Sequence, residues 1–179
     1  QARSHLAAIR LVRKITEVTV YDKNPAASEL YAEEMKKKYG ISVKTCGSVE
    51  SAVADADIIC TVCPAKEAYL TKDMVKLGVH INAVGTFSPT TREVASDLIG
   101  AARLYSDHTP SCRKESGEYL IPLKEGIITE SHIIGSVGEL LLGKVPGRQS
   151  KNDITVFDAL GLAVEDISSA ELVYLESKK

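Results

Sequence analysis

Short strand-like segments separated by helical or turn signals recur along this chain, and that alternation limits the fold more than any single motif. Glu17 to Tyr21 (EVTVY) alternates Val with polar residues, Ile41 to Thr45 is a shorter version, and Asp57 to Val62 (DIICTV) is a continuous apolar run. His80 to Val84 (HINAV), Arg103 to Ser106 (RLYS) and Asp153 to Phe157 (DITVF) follow. β-Branched side chains fit a pleated surface, and an unbroken apolar run suits a strand covered on both faces. The intervening segments carry helix signals. Gln1 to Lys14 sets Leu6, Ile9 and Val12 at helical spacing, Asn24-Pro25 opens a helix that stops at Gly40, and Ser48 caps another that reaches Ala56. Thr71 to Leu77 is a turn or two of helix, and Asp97 to Ala102 is a short helix. Ser111 to Gly126 is helical or irregular, and Ile133 to Leu142 (IIGSVGELLL) is expected to be one helix stopped by Gly143. Lys144 to Asn152 is a surface link, and a helix with apolar residues from Leu162 to Leu175 closes the chain. Strands alternating with helices at these lengths predict βαβ units, an α/β fold doubly wound around a mostly parallel sheet.

A chain of 179 residues can bury one continuous core. Its 22 Lys and Arg balance 24 Asp and Glu, so charge gives no reason to expect nucleic acid or an anionic membrane as a partner. No apolar run approaches the roughly 18 to 20 residues of a membrane-spanning helix, and a soluble, cytoplasmic protein is expected. Cys46, Cys60, Cys63 and Cys112 are expected to be reduced thiols, since a chain of this size needs no disulfide framework. The pair Cys60-Thr61-Val62-Cys63 has redox or zinc-ligand spacing, but no second pair accompanies it, and two small apolar fillers at the end of a buried strand are the favoured reading. No metal site is expected. The four histidines share no ligand spacing.

In a doubly wound sheet, ligands bind outside the carboxyl ends of the strands. The positions to read are therefore Asp22, Thr61 to Pro64, Val84 to Ser88, Asp107 and Asp158 to Gly161. Asp22 lies about twenty residues beyond the start of the first helix, where an acidic side chain accepts the hydroxyls of an adenosine ribose and repels a 2′-phosphate. That favours NAD over NADP. An Asp before Asn24-Pro25 also suits a simple turn. Thr61, Cys63 and Gly85 are small, as close approach of a cofactor or a tight strand-to-helix turn requires. Glu139 stands in an otherwise apolar stretch, at an interface or on a solvated face. The glycine-rich fingerprint of such sites is absent, and the first strand with its glycine loop is expected upstream of Gln1.

Four stretches carry a resemblance. Gln1-Ala2-Arg3-Ser4-His5-Leu6, Asn82-Ala83-Val84-Gly85, Gly138-Glu139-Leu140 with Gly143, and the run from Ile154 through Ala159-Leu160-Gly161 to Asp166 resemble, in order, the ornithine cyclodeaminase/mu-crystallin family. The resemblance implies a Rossmann NAD-binding domain set beside a separate substrate-binding and dimerising domain, so a homodimer or larger assembly is expected. It places Gln1 and Ala2 at the cofactor pyrophosphate and Asp22 at the adenosine ribose. Thr61, Val62 and Cys63 would follow the path from adenine to nicotinamide, Val84 and Gly85 would lie near the nicotinamide, and Leu160 and Gly161 would close the far side.

Departures from the family pattern bear on the reaction. Cyclodeaminase and alanine dehydrogenase members carry an Asp and a Lys in the segment after Gly85, where this chain has Phe87 and Thr91; Ala159 stands where many members have Ser. A phenyl ring neither accepts a proton nor orients water, so a cyclodeaminase mechanism through that position is closed. Ketimine and pyrroline-2-carboxylate reductases also lack the Asp. The resemblance therefore implies an NADH-dependent imine reductase or amino-acid dehydrogenase acting on a small amino acid or cyclic imine carboxylate. Ornithine cyclodeaminase with catalytic NAD, or a non-catalytic crystallin-like nucleotide binder, are the alternatives.

Overall fold

The computed structural model describes residues 1–179. Helix α1 (Ala2–Val12) leads to strand β1 (Glu17–Val20), helix α2 (Pro25–Tyr39), strand β2 (Ser42–Thr45), helix α3 (Val49–Val53) and strand β3 (Ile58–Thr61). A short 3-10 turn, Lys72–Met74, precedes strand β4 (His80–Ala83), helix α4 (Ser96–Ala101) and strand β5 (Arg103–Ser106). Helices α5 (Thr109–Glu115) and α6 (Gly117–Lys124), strand β6 (Ile133–Ser136), helix α7 (Val137–Leu141), strand β7 (Thr155–Asp158) and helix α8 (Ala163–Glu176) complete the chain. No helix is long and apolar enough to cross a membrane.

Local chemistry accounts for these boundaries. Asn24 caps α2 by accepting from the Ala26 amide, Pro25 occupies the first turn, and Gly40 ends the helix at φ 65°, a left-handed conformation that costs a side chain about 1 to 2 kcal/mol. Ser48 and Ser51 form a reciprocal cap on α3. The expected single helix over Ile133 to Leu142 is a correction, because Ile133–Ser136 is a strand. Ser136 and Glu139 form a capping box that starts α7 at Val137, so the apolar run is divided where its polar pair falls. The carboxylate of Glu139 accepts from the Ser136 amide and hydroxyl, which assigns it to the cap rather than to an interface.

All strand pairings are parallel, but they form two sheets rather than one. The smaller sheet pairs β1 with β2; the larger has the order β3-β4-β7-β5-β6. The chain leaves β4, skips one position to β5, continues to β6 and returns to fill the gap with β7. Strands β1 and β3 each keep one edge without a ladder partner. Helix α3 ties the sheets together, since Val53 packs into the large core while the Ala52 carbonyl accepts from the Thr19 hydroxyl on β1.

The large sheet carries a core of 17 buried residues that includes Leu70, Ile81, Leu98, Ile99, Leu104 and Val156. The small sheet has a cluster of Leu6, Tyr31 and Met35. No residue of α8 is buried, although its sequence is rich in apolar side chains.

Candidate functional site

The carboxyl ends of β3, β4, β7 and β5 meet along one edge. Successive backbone bonds step across it: the Val84 amide donates to the Thr61 carbonyl, Ala159 to Ala83, and Asp107 to Asp158. The loops beginning at Val62, Val84 and Ala159 therefore lie side by side. This brings together Thr61, Val62, Cys63, Val84, Gly85, Leu160 and Gly161. Gly85 has no room for a side chain, because a Cβ there would lie 2.2 Å from the Cys63 carbonyl oxygen and 2.4 Å from its nitrogen. Gly161 takes φ 87°, which frees the turn after β7 to cross the end of the sheet.

Four buried carboxylates lie beneath these loops, and three of them, Glu93, Asp107 and Glu118, bond the loops directly. Glu93 accepts from the Cys63 amide, the Tyr69 hydroxyl and the Gly85 amide at 2.7, 2.8 and 2.8 Å. Asp107 accepts from the Leu160 and Gly161 amides, both at 2.8 Å. Glu118 accepts from the Glu93 amide at 2.6 Å and from the Thr86 hydroxyl at 3.0 Å. Asp158 accepts from the Ser116 hydroxyl at 2.5 Å and the Cys112 thiol at 3.3 Å. Burial raises the Glu118 carboxyl to about 7, and the nearby Asp158 charge adds to the rise. Burial likewise raises Asp158 to about 6, against the opposing effect of its hydrogen bonds. The Cys112 thiol is pushed far up by burial and by Asp158, so it is an inert, protonated donor.

Sequence reading identified Asp107 and Asp158 by their place after strands, but not Glu93 or Glu118. Glu93 lies in Thr91-Arg92-Glu93-Val94 and Glu118 in Ser116-Gly117-Glu118-Tyr119, contexts that look like surface charge. Phe87 projects into solvent just beyond these loops, 74% exposed.

Gln1 and Ala2 begin α1, and the Gln1 side chain makes no capping hydrogen bond, so the amides of that first turn have no side-chain partner. Asp22 follows β1 and does serve the turn, with its Oδ1 accepting from the Asn24 amide at 2.8 Å. Its Oδ2 makes no hydrogen bond within the chain. The residue opens on a cavity of about 350 Å³ shared with Tyr21, Thr45, Cys46 and Gly47. Ser28 also lines this cavity and carries a buried hydroxyl without a partner. Asp22 lies close enough for its charge to reinforce the upward shift that burial imposes on the Cys63 thiol, so the ends of the two sheets are electrostatic neighbours.

Other polar candidates have structural duties. His80 bonds Thr155 and Asn82, and burial lowers its pKa. Cys60 accepts weakly from Asn82 within β3, and Cys63 lies beyond the strand end; neither forms a disulfide. No group of three or more His, Cys, Asp and Glu side chains converges as a metal site would. A larger cavity of about 730 Å³ lies at the ends of β5 and β6, where His108, Arg113 and Lys114 face Glu139. None of the expected cofactor-binding positions lines it.

Loops converging on the carboxyl ends of parallel strands, with glycine at the closest approach and an acid after β1, define a dinucleotide-binding α/β domain of the Rossmann type. The residues suit such a cofactor, with a free Asp22 oxygen beside a cavity and a glycine wall at Gly85. The pattern of the ornithine cyclodeaminase/mu-crystallin family matches residues 1–179, and the chain belongs to that family. It is 33% identical over 175 residues to a Delta(1)-pyrroline-2-carboxylate reductase of Bacillus cereus, covering 97% of this chain and 54% of the relative. It is 36% identical over 174 residues to the ketimine reductase mu-crystallin of Mus musculus, covering 97% and 51%. The structure of Thermococcus litoralis Delta(1)-pyrroline-2-carboxylate reductase in complex with NADH and L-proline matches with a TM-score of 0.95 and 38% identity, over 99% of this chain and 55% of that one. The chain thus spans about half the length of the relatives it matches.

Proposed function

We propose that residues 1–179 form the NAD(H)-binding part of an oxidoreductase that interconverts a small cyclic imine or ketimine carboxylate with the corresponding amino acid. The observation that carries this reading is Phe87, an exposed phenyl ring at the mouth of the β4 loop. Reduction of a preformed C=N bond needs hydride delivery in the right geometry and a proton, and an apolar side chain there is no obstacle. Release of ammonia by a cyclodeaminase needs a group that handles water or the amine, and Phe87 supplies neither.

In this reading the reduced nicotinamide supplies the hydride. Gly85 and the backbone at Cys63 form one wall of its cleft, and Leu160 with Gly161 the facing side. Asp22 holds the ribose hydroxyls through its free oxygen and disfavours a 2′-phosphate, so NADH is preferred over NADPH. The substrate carboxylate clamp and the dimer contacts belong to a separate segment, as the length of the relatives supports; no residue of this chain is assigned as the proton donor. The test is to incubate the intact protein with NADH and Delta(1)-pyrroline-2-carboxylate. One NADH oxidised per imine consumed is expected. Ammonia and proline from ornithine without net NADH, and no imine reduction, would replace this reading by the lyase.

A further inference from the structure

We propose that Glu93 is a positioning residue for the cofactor cleft: its one buried carboxylate sets the spacing of the loops after β3 and β4 without touching cofactor or substrate. The proposal rests on the NAD(H) reading above and adds to it the group that shapes the cleft wall.

The β3–β4 ladder ends at the pair Thr61 and Ala83, and the Val84 amide makes the last bond to the Thr61 carbonyl. Two residues beyond that pair, the Cys63 and Gly85 amides no longer meet a strand partner. Both turn instead to Glu93, the first to Oε1 at 2.7 Å and the second to Oε2 at 2.8 Å. A carboxylate is rigid and its two oxygens have a fixed separation, so it replaces the missing ladder with a spacer of set length. No cation pairs with Glu93, which is 0% exposed. A buried charge of this kind is tolerated only where hydrogen bonds replace its water, and these two amides with the Tyr69 hydroxyl provide them.

Glu93 is itself fixed on both sides. Its amide donates to Glu118, and its carbonyl accepts from the Tyr69 and Leu70 amides, next to the bridge between Leu70 and Val94. The spacing it sets leaves room for glycine alone at position 85. A Cβ on Gly85 would meet the Cys63 backbone at 2.2 Å and Glu93 Oε1 at 2.5 Å, so the loops lie too close to admit any side chain between them, and without the carboxylate no shared acceptor draws their amides together.

The test uses the intact protein and the variants Glu93→Gln and Tyr69→Phe. Glutamine keeps the volume but turns an NH2 toward one of the two amides, so one loop is repelled. We expect Glu93→Gln to raise the Kd for NADH at least tenfold and lower kcat while leaving the imine KM within about threefold. Tyr69→Phe removes one donor but leaves both amide bonds, and its NADH Kd should stay within threefold of wild type. If Glu93→Gln loses its cooperative unfolding transition, Glu93→Asp carries the same expectation, because a side chain one methylene shorter reaches only one loop. Wild type that binds NADH while both Glu93 variants bind it equally well would overturn the positioning role alone. Equal damage from Tyr69→Phe would overturn it too, by assigning the effect to packing around Tyr69. Wild type that binds no nicotinamide cofactor would instead sink the functional reading on which it rests.

Discussion

The two sheets are built differently although every strand in both is parallel. In the five-stranded sheet, β7 has buried residues at three of its four positions and β5 at three, and the helices above share one 17-residue core. In the two-stranded sheet no residue of β1 or β2 is fully buried, and the local core is three residues. A strand paired and covered on both sides gains most of its stability from apolar area removed from water, and the half-exposed residues of β1 and β2 remove less of it. The difference divides labour in the site. The large sheet supplies a rigid platform whose loops are tied by buried carboxylates, and the small sheet supplies Asp22 and a cavity on a lighter frame.

The largest expected effect tests that contrast in stability. Leu104→Ala, at a position with no exposure, should cost about 3 to 4 kcal/mol, whereas Val43→Ala on half-buried β2 should cost about 1 kcal/mol or less. Denaturant titration measures both, and equal losses would erase the distinction. Glycines sharpen it next. Gly85→Ala drives a Cβ into the Cys63 backbone and should cost about 2 to 3 kcal/mol together with NADH binding. Gly40→Ala has open space around it and should lose only about 1 kcal/mol, from its left-handed φ.

A smaller effect concerns pH. Glu118 and Asp158 are raised on folding, from 4.5 to about 7 and from 3.8 to about 6, so the folded state binds more protons than the unfolded chain between those limits. Their contribution to stability is fully present below the unfolded values and is lost as pH rises toward 7. Buried His80, whose pKa is lowered, acts in the opposite sense as pH approaches 6.5. Comparing Glu118→Gln with the parent cancels that term: melting temperatures from pH 5 to 8 should decline less steeply in the variant. Parallel curves would mean that Glu118 does not titrate in this range. Asp22→Ala loses one turn hydrogen bond, about 1 kcal/mol, yet should weaken NADH and relatively improve NADPH. An unchanged preference, read by titration with each cofactor, would leave Asp22 with its turn alone.

Much of the fold was legible because local chemistry decides it. Arg103 to Ser106 is a strand as read, and Asn24, Pro25 and Gly40 bound α2 as expected. The apolar run from Ile133 to Leu142 misled because its spacing satisfies both a helix and a buried strand, and the Ser136 and Glu139 pair that divides it acts through side-chain geometry. A gap in the sheet was legible, because a first strand expected upstream of Gln1 would leave its neighbours without ladder partners; the order β3-β4-β7-β5-β6 was not, since pairing depends on which edges meet in space. Within the site, glycines and post-strand acids announced themselves by position. Glu93 and Glu118 did not, because the amides they satisfy lie 30 and 8 residues from Glu93 and 25 residues from Glu118, and no local pattern marks them.

The central claim is that one NADH molecule lies across both sheets. Amide hydrogen exchange on the intact protein, with and without saturating NADH, tests it most directly. Slower exchange is expected in both regions together, at Tyr21 to Asn24 and Thr45 to Gly47 on the small sheet and at Val62 to Ala65, Val84 to Phe87 and Leu160 to Leu162 on the large one. Protection confined to one sheet, or none at either, would contradict it.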